Sequence, residues 1–207
     1  EIVVDEKVKA RKEWAVLEEV VGAPSRIEQI AKDVVSHFNN RPIEGKAMVV
    51  TMSRSIAVAM YNAIKNIEGS PECAVIISGM DDFPGQIQSE HDVKKLEKRF
   101  KKVNDSLRLV IVCDMWLTGF DVPNMHTMYL DKPLKNHGLM QAIARVNRVY
   151  KDKPGGLIVD YIGIAENLKK ALALYDADVQ KEAMIPLDEV IVEMKTLHRE
   201  VSLYFSN

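Results

Sequence analysis

Three polar side chains in the second half of the sequence have a spacing suited to binding phosphate. Gln141, Arg145 and Arg148 stand at positions i, i+4 and i+7, so they share one stripe if Gly138 to Val149 is a helix. Guanidinium groups bind phosphate oxygens through paired hydrogen bonds and stay charged at any biological pH. The same spacing also fits a surface helix with two solvated arginines. Without other motifs, such a pattern more often marks a solvated helix than a phosphate site.

Short apolar runs alternate with segments of helical period along most of the chain. Runs of this length without polar breaks are typical of strands buried on both faces. The strands are predicted at Ala47 to Val50, Ala74 to Ile77, Leu109 to Val112, Met128 to Leu130 and Leu157 to Val159. Helices between them are predicted at Ser53 to Ile67, His91 to Lys102 and Gly138 to Val149. The pattern predicts an α/β fold, a parallel sheet sandwiched by helices.

Further helical segments flank this pattern. Glu6 to Val21 has a helical pattern, and a second lead-in helix carries apolar residues from Ile27 to Phe38, with Ser25 and Glu28 predicted as its capping box. Two more helices are predicted near the end, at 164–175 and 187–204, and an exposed loop is predicted at 79–90. Because the chain opens with Glu1 inside a polar helical pattern, we expect it to be a piece of a longer polypeptide.

Polar residues follow several of the predicted strands. Ligands of parallel α/β sheets bind at the carboxyl ends of the strands, which places Ser53, Gly79, Asp114 and Asp131 along one edge. Ser53 is equally suited to a plain helix N-cap. The single basic cluster, KKLEKRFKK from Lys94 to Lys102, is most simply a solvated face, with DNA contact as the alternative.

Composition limits the classes of protein to consider. The chain has 207 residues, 47% of them hydrophobic and 28% charged, so a globular core is expected. Because the net charge is −2, the overall electrostatic field of the protein does not favour binding to nucleic acid. Cys73 and Cys113 adjoin apolar runs and predict buried thiols in a reducing compartment. No signal peptide or membrane-spanning run is visible, so we expect a cytoplasmic protein that does not bind membranes.

Several motifs of nucleotide and metal chemistry are missing from the sequence. It has no GxxxxGK[ST] string, because its one Gly-Lys pair, Gly45-Lys46, is followed by Ala47. No strand end carries an acidic string of the Asp-Glu-x-His type, which would bind Mg²⁺. The string Asp5-Glu6-Lys7 fits the start of a helix better than a nuclease motif. The five histidines are not spaced as metal ligands would be. No metal site is predicted.

Three long strings together resemble the second RecA-like motor domain of superfamily-two helicases and translocases. They are AMVVTMSRSIAV from Ala47, VIVCDMWLTGFDVPNMHTMYLDKPL from Val110 and HGLMQAIARVNRVYKDKPGGLIVDYIG from His137. They are most similar to the restriction (R) subunit of type I restriction-modification enzymes. QAIARVNR resembles motif VI, which implies that Arg145 and Arg148 are arginine fingers for the γ-phosphate of ATP and that Gln141 helps to position them.

LTGFDVP, from Leu117 to Pro123, resembles motif V of the same family. The resemblance implies that Gly119 allows close backbone approach at the ATP site, and that Asp121 accepts a hydrogen bond from a ribose hydroxyl or from the motif VI helix. Taken without the family, the string is more often just a tight turn after a strand. The DNA contacts implied by the family are Ser53, Arg54, Gly79, Cys113, Asp114 and Thr118. Ala144 and Cys113 depart from the family, in which Gly and Thr are frequent.

The resemblance implies a fragment of a motor subunit that couples ATP hydrolysis to translocation on double-stranded DNA. Its expected parts are a helical lead-in at 1–44, the second RecA-like domain at 45–177 and a C-terminal amphipathic helix at 178–207. ATP and Mg²⁺ are cofactors of the intact protein, and none is expected on this fragment alone, which should be inactive. Expected partners are the first motor and nuclease domains of the same polypeptide, DNA, and the modification and specificity subunits.

Two alternative functions remain at this point. The first keeps the fold and assigns the chain to another superfamily-two protein, a DNA repair helicase or remodeller. The second is a non-catalytic interaction module that kept the sheet and lost the chemistry. Retention of both arginines and of Asp121 argues against the second alternative.

Overall fold

A computed structural model of the chain describes residues 2–77, 90–117, 120–134, 136–148, 150 and 155–163. These residues lie within one compact unit, Glu1–Ala165. The elements are α1 (Ile2–Val21), α2 (Pro24–Asn40), β1 (Lys46–Thr51), α3 (Arg54–Lys65), β2 (Glu72–Ile76), α4 (Glu90–Lys101), β3 (Leu107–Val112), β4 (Met125–Asp131), α5 (Asn136–Val146) and β5 (Leu157–Asp160). The helices predicted at 164–175 and 187–204 and most of the loop predicted at 79–90 lie outside the described residues.

The five strands form one parallel sheet in the order β2-β3-β1-β4-β5, which confirms the predicted fold class. All five predicted strands are present. β1 and β4 are buried at every position, as expected for strands inside a sheet that is covered on both faces. The carboxyl ends of β1, β3 and β4, marked by Thr51, Val112 and Asp131, therefore meet at one edge of the sheet.

Helices cover both faces of this sheet. Alternate β1 residues, Ala47 and Val49, share one core with the apolar faces of α2 and α3. The intervening β1 positions face the other way, since the Lys46 ammonium lies 5.2 Å from the ring of Phe100 on α4. The layers are thus α2 and α3 on one face and α4 on the other. None of the helices that the structure describes is long and apolar enough to cross a bilayer.

The start of α2 differs from the prediction. The helix begins at Pro24, with Ala23 at the N-cap position and no side-chain cap hydrogen bond, so the capping box of Ser25 and Glu28 is wrong. Proline suits the first helical position because its φ is already helical and its missing N–H would have no helical partner. Pro24 therefore opens α2.

An ion pair with a fully buried carboxylate joins α2 to the carboxyl end of β4. The Arg26 guanidinium donates to both carboxylate oxygens of Asp131, at 2.6 and 3.1 Å, and to the carbonyls of Val21 and Tyr161. Asp131 is completely buried. Two further hydrogen bonds follow the same seam, from Tyr161 to Asp33 and between His37 Nδ1 and Tyr129 Oη at 2.8 Å. The lead-in helix is therefore tied to the sheet by polar contacts as well as apolar packing.

At the opposite edge of the sheet a lysine is buried. Lys46, the first residue of β1, is not exposed, and its Nζ donates to the carbonyl of Arg99 at 3.1 Å. Burial, opposed in part by the charge of Asp105, lowers the pKa of Lys46 from its ordinary 10.5 to about 8. An ammonium in this position costs folding free energy at neutral pH.

Replacing Lys46 with methionine should stabilise the fold at neutral pH. Between pH 8 and 10.5 the unfolded chain binds more protons than the folded chain, so the native protein gains stability as the pH rises through that range. In urea unfolding at pH 7 we expect the variant to be more stable by roughly 2 kcal/mol, with the difference shrinking above pH 8. A control, Lys65→Met at an exposed position of α3, should show no such convergence. A pH-independent difference for Lys46→Met would contradict the assignment.

Candidate functional site

Four of the six predicted DNA-contacting residues line one depression at the carboxyl ends of the strands. We call it the strand-end pocket. Its volume is about 340 Å³, and it is lined by Ser53, Arg54, Ile76, Ile77, Cys113, Asp114 and Met115. The strand order explains the grouping, because β3 lies between β1 and β2, and the segments that follow these strands meet at the same edge.

Ser53 and Arg54 form one wall of the strand-end pocket. Ser53 has an extended backbone and accepts a hydrogen bond from the Ile56 amide at 3.4 Å, which confirms its N-cap role on α3. Its hydroxyl also lies 2.8 Å from the Ser55 hydroxyl. Arg54 is the first residue of α3 and is exposed. A positive side chain beside a helix N-terminus favours an anion at this wall.

Cys113 and Asp114 form a second wall of the strand-end pocket, and Lys132 contacts both of them. Lys132 Nζ contacts Asp114 Oδ1 at 2.5 Å and the Cys113 carbonyl at 3.4 Å. Burial, helped by the neighbouring carboxylate, raises the pKa of the Cys113 thiol to about 11. Desolvation alone would raise the pKa of Asp114, but the hydrogen bonds from Lys132 and Cys113 outweigh it and leave this pKa below its ordinary value. At neutral pH this wall holds a neutral thiol and a carboxylate–ammonium pair.

The two arginines of the predicted motif lie in different settings. α5 ends at Val146, so Arg148 lies beyond the helix, and the single helical stripe predicted for Gln141, Arg145 and Arg148 is wrong in its last member. The chain returning at Gly156 passes so close that an added Cβ would lie 2.3 Å from the Val146 carbonyl oxygen. Gly156 thus packs directly against Val146, the residue at which α5 ends.

Arg145 binds the backbone of the turn that follows β3. Its Nε donates to the Leu117 carbonyl at 3.2 Å and its Nη1 to the Phe120 carbonyl at 2.8 Å. These two hydrogen bonds fix α5 against the turn. Gln141 lies one helical turn earlier on α5 and is half-buried.

Arg148 pairs instead with an acid of the same turn. Its Nη1 lies 2.6 Å from Asp121 Oδ2, and both side chains are about half exposed, at 48% and 47%. The other carboxylate oxygen, Asp121 Oδ1, is buried and has no hydrogen-bond partner among the described residues. A buried acceptor without a donor is costly, so the described contacts leave this oxygen incompletely satisfied.

Three aromatic rings that the sequence did not single out hold the same turn. We call Phe100, Trp116 and Phe120 the aromatic stack. Trp116 and Phe120 stack with centroids 4.1 Å apart and planes 10° apart, and Phe100 lies about 6 Å from each, at 6.1 and 6.2 Å. Trp116 has a φ of 69°, a conformation that costs a bulky residue roughly 1–3 kcal/mol. Ring stacking offsets part of that cost and fixes the turn on α4.

The remaining predicted site residues are placed as follows. Gly79, Thr118 and Gly119 lie outside the described residues. In the basic cluster, Arg99 contacts Glu72 and Asp105, each at 2.7 Å. Lys101 contacts Glu97 at 2.5 Å. Part of the cluster's charge is therefore neutralised within the chain.

Sequence comparison assigns the chain to a family. Residues 80–163 match the family model described as type I restriction enzyme subunit R domain 3. The putative type I restriction enzyme MjaIXP endonuclease subunit of Methanocaldococcus jannaschii is 47% identical over 97% of this chain and 20% of its own length. The chain is homologous to a segment of type I restriction enzyme R subunits. The HindI endonuclease subunit of Haemophilus influenzae is 46% identical over 76% of this chain, which spans 17% of that relative.

Solved structures support the fold of this chain. A fragment of a putative HsdR subunit of a type I restriction enzyme from Vibrio vulnificus YJ016 superposes with a TM-score of 0.59 at 16% identity, over 80% of this chain and 32% of that chain. T4 UvsW superposes with a TM-score of 0.52 at 20% identity, over 72% and 27%. At these identities the likeness concerns the fold alone, which is the predicted RecA-like α/β fold. The segment spans about a fifth of the curated relatives.

Proposed function

We propose that this segment is the second half of an ATP-driven motor on double-stranded DNA, within the R subunit of a type I restriction endonuclease. One observation carries the proposal. The turn after β3 begins with Cys113 and Asp114 in the strand-end pocket and ends with Phe120 and Asp121 beneath the two arginines. A single short segment thus links a candidate DNA site to a candidate nucleotide site, so a change at one site can move the other.

The described residues fit the arginine side of an ATP site. Arg148 can leave Asp121 at little cost, since the pair is half exposed and such pairs are worth about 0–1 kcal/mol. By family resemblance, Asp121 is proposed to accept a hydrogen bond from a ribose hydroxyl. When bound, ATP with Mg²⁺ supplies the phosphoryl group whose developing negative charge an arginine stabilises. Arg145 keeps the turn in place while Arg148 moves.

The remainder of the ATP site is proposed to come from the first motor domain of the same polypeptide. The sequence of this chain has no Walker string to cradle phosphates, so the chain alone should be inactive. We propose that the chain consists of a helical lead-in at 1–44, the second RecA-like domain at 45–177 and a C-terminal helix at 178–207. The proposed partners are a nuclease domain and the modification and specificity subunits. The proposed location is the cytoplasm. These partners and cofactors belong to the intact R subunit.

The DNA side of the proposal places a phosphate in the strand-end pocket. Arg54 and the Ser53 hydroxyl face it from the first turn of α3, where the helix dipole also favours an anion. Gly79 and Thr118 are proposed as further contacts by family resemblance. The Asp114 carboxylate is the one feature of the pocket that opposes phosphate binding, and its pairing with Lys132 reduces that effect.

Replacing Arg54 with alanine should weaken DNA binding by the intact R subunit. We expect a loss of several-fold in affinity and a salt slope smaller by about 1, because one phosphate contact is removed. The measurement is fluorescence anisotropy with a labelled duplex at several salt concentrations. Arg11→Ala, at an exposed position of α1, is the matched control and should leave both quantities unchanged. Equal effects of the two substitutions would show that only net charge matters and that the strand-end pocket is not the DNA site.

A further inference from the structure

Lys132, which sequence analysis did not single out, is a buried cation in contact with Cys113 and Asp114, two residues that line the strand-end pocket. It directly follows β4, and its side chain is only 11% exposed. Its Nζ contacts Asp114 Oδ1 at 2.5 Å, the Cys113 carbonyl at 3.4 Å and the Cys113 sulfur at 3.8 Å. All of these partners belong to the turn that begins where β3 ends, so Lys132 ties β4 to that turn.

Asp114, the partner of Lys132, is an exposed carboxylate at the pocket where a phosphate is proposed to bind. The Asp114 side chain is 77% exposed and lines the strand-end pocket, which Arg54 also lines. An unpaired carboxylate there would repel a DNA phosphate. The ammonium behind it cancels this charge, and the low pKa of Asp114 reflects the same contact.

We propose that Lys132 is a positioning residue of the DNA site: it neutralises Asp114 and holds the end of β3 so that the strand-end pocket accepts a phosphate. The inference rests on the proposed function of that pocket. Lys132 acts through Asp114 rather than by touching DNA, because its ammonium is directed at groups of the turn and its side chain is almost covered. Arg54 is the direct contact, and Lys132 sets the charge of the wall that Cys113 and Asp114 form.

A second ion pair follows in sequence and supports this arrangement. Asp131, the residue before Lys132, is held from the other side by Arg26. The end of β4 is thus clamped between α2 and the turn after β3, which fixes the direction in which Lys132 points. A lysine placed this way has little freedom to follow a moving phosphate, which suits a neutralising role.

Three variants of the intact R subunit test the inference: Lys132→Met, Asp114→Asn and the double variant. Duplex affinity is measured by fluorescence anisotropy. Lys132→Met should bind about tenfold more weakly, the size expected for one uncompensated charge near a protein surface. Asp114→Asn should bind more tightly than the native protein, and the double variant should return close to native affinity, because it has neither charge.

Other results overturn the inference. Native affinity for Lys132→Met would show that neutralisation is not needed, and equal weakening of Lys132→Met and the double variant would show a purely structural role. If Lys132→Met does not fold, Asp114→Asn decides alone, since unchanged or weaker binding is then inconsistent with the inference. The Arg54→Ala variant distinguishes a failure of the role of Lys132 from a failure of the proposed DNA site. If it weakens binding while the Lys132 series does not, only the role of Lys132 fails; if neither has an effect, the proposed DNA site itself fails.

Discussion

Replacing Arg148 with alanine in an intact R subunit is expected to lower ATP hydrolysis by roughly 10³-fold or more, the usual loss on removing an arginine finger. Arg148 is the freer of the two arginines, because its contact among the described residues is a half-exposed pair with Asp121. Arg145 donates hydrogen bonds to two backbone carbonyls, so its substitution would also remove contacts that hold the turn in place. Of the two substitutions, the one at Arg148 is therefore the cleaner test of phosphate chemistry. Steady-state hydrolysis with saturating DNA measures it.

The matched control for this experiment is Asp121→Asn, which breaks the same ion pair and leaves the guanidinium in place. It should keep hydrolysis within about tenfold of the native rate, since only the resting contact and one acceptor are altered. Duplex affinity should be unchanged in Arg148→Ala. Unchanged hydrolysis in that variant would exclude the finger role and leave only the non-catalytic scaffold hypothesis.

Replacing Arg26 with methionine is expected to destabilise the fold by about 3–5 kcal/mol, the usual cost of removing one partner of a buried ion pair. Asp131 is completely buried, and Arg26 holds both of its oxygens. The carbonyls of Val21 and Tyr161 lose a donor as well. Urea unfolding of the chain measures the change.

Two comparisons make the Arg26 experiment specific. Arg26→Met combined with Asp131→Asn should recover part of the loss, because the carboxylate charge left behind is removed. Arg99→Met breaks contacts to Glu72 and Asp105 that are partly solvated, at 43% and 15% side-chain exposure, and should cost only about 1 kcal/mol. Equal losses for Arg26→Met and Arg99→Met would contradict the assigned importance of burial.

The sheet was predictable because its strands are buried on both faces. Runs such as Met48 to Val50 must be continuously apolar when helices cover both sides, and no helix of ordinary length fits in them. Helix ends were less predictable. The start of α2 depends on how Pro24 is used, and the end of α5 depends on Gly156, ten residues further along, packing against Val146. Such contacts between distant residues leave no local pattern.

The site was predictable only in part, and for a similar reason. Family strings nominated Arg54, Cys113 and Asp114, which the structure brings to one pocket, but the strings do not show which charges pair. Asp131 looked like a functional acid at a strand end, yet its partner Arg26 lies 105 residues away in sequence. Apart from its position directly after β4, no sequence pattern marked Lys132 as part of the site. The functional roles assigned to the nominated residues stay predictions.

The contacts of Arg145 have a consequence for how this segment can vary among relatives. The acceptors of its guanidinium are the main-chain carbonyls of Leu117 and Phe120, which every amino acid supplies. Substitutions at those two positions keep the acceptors, whereas an inserted or deleted residue between them changes the distance that the guanidinium must bridge. Natural diversity in this turn should therefore consist of changes of residue type at constant length.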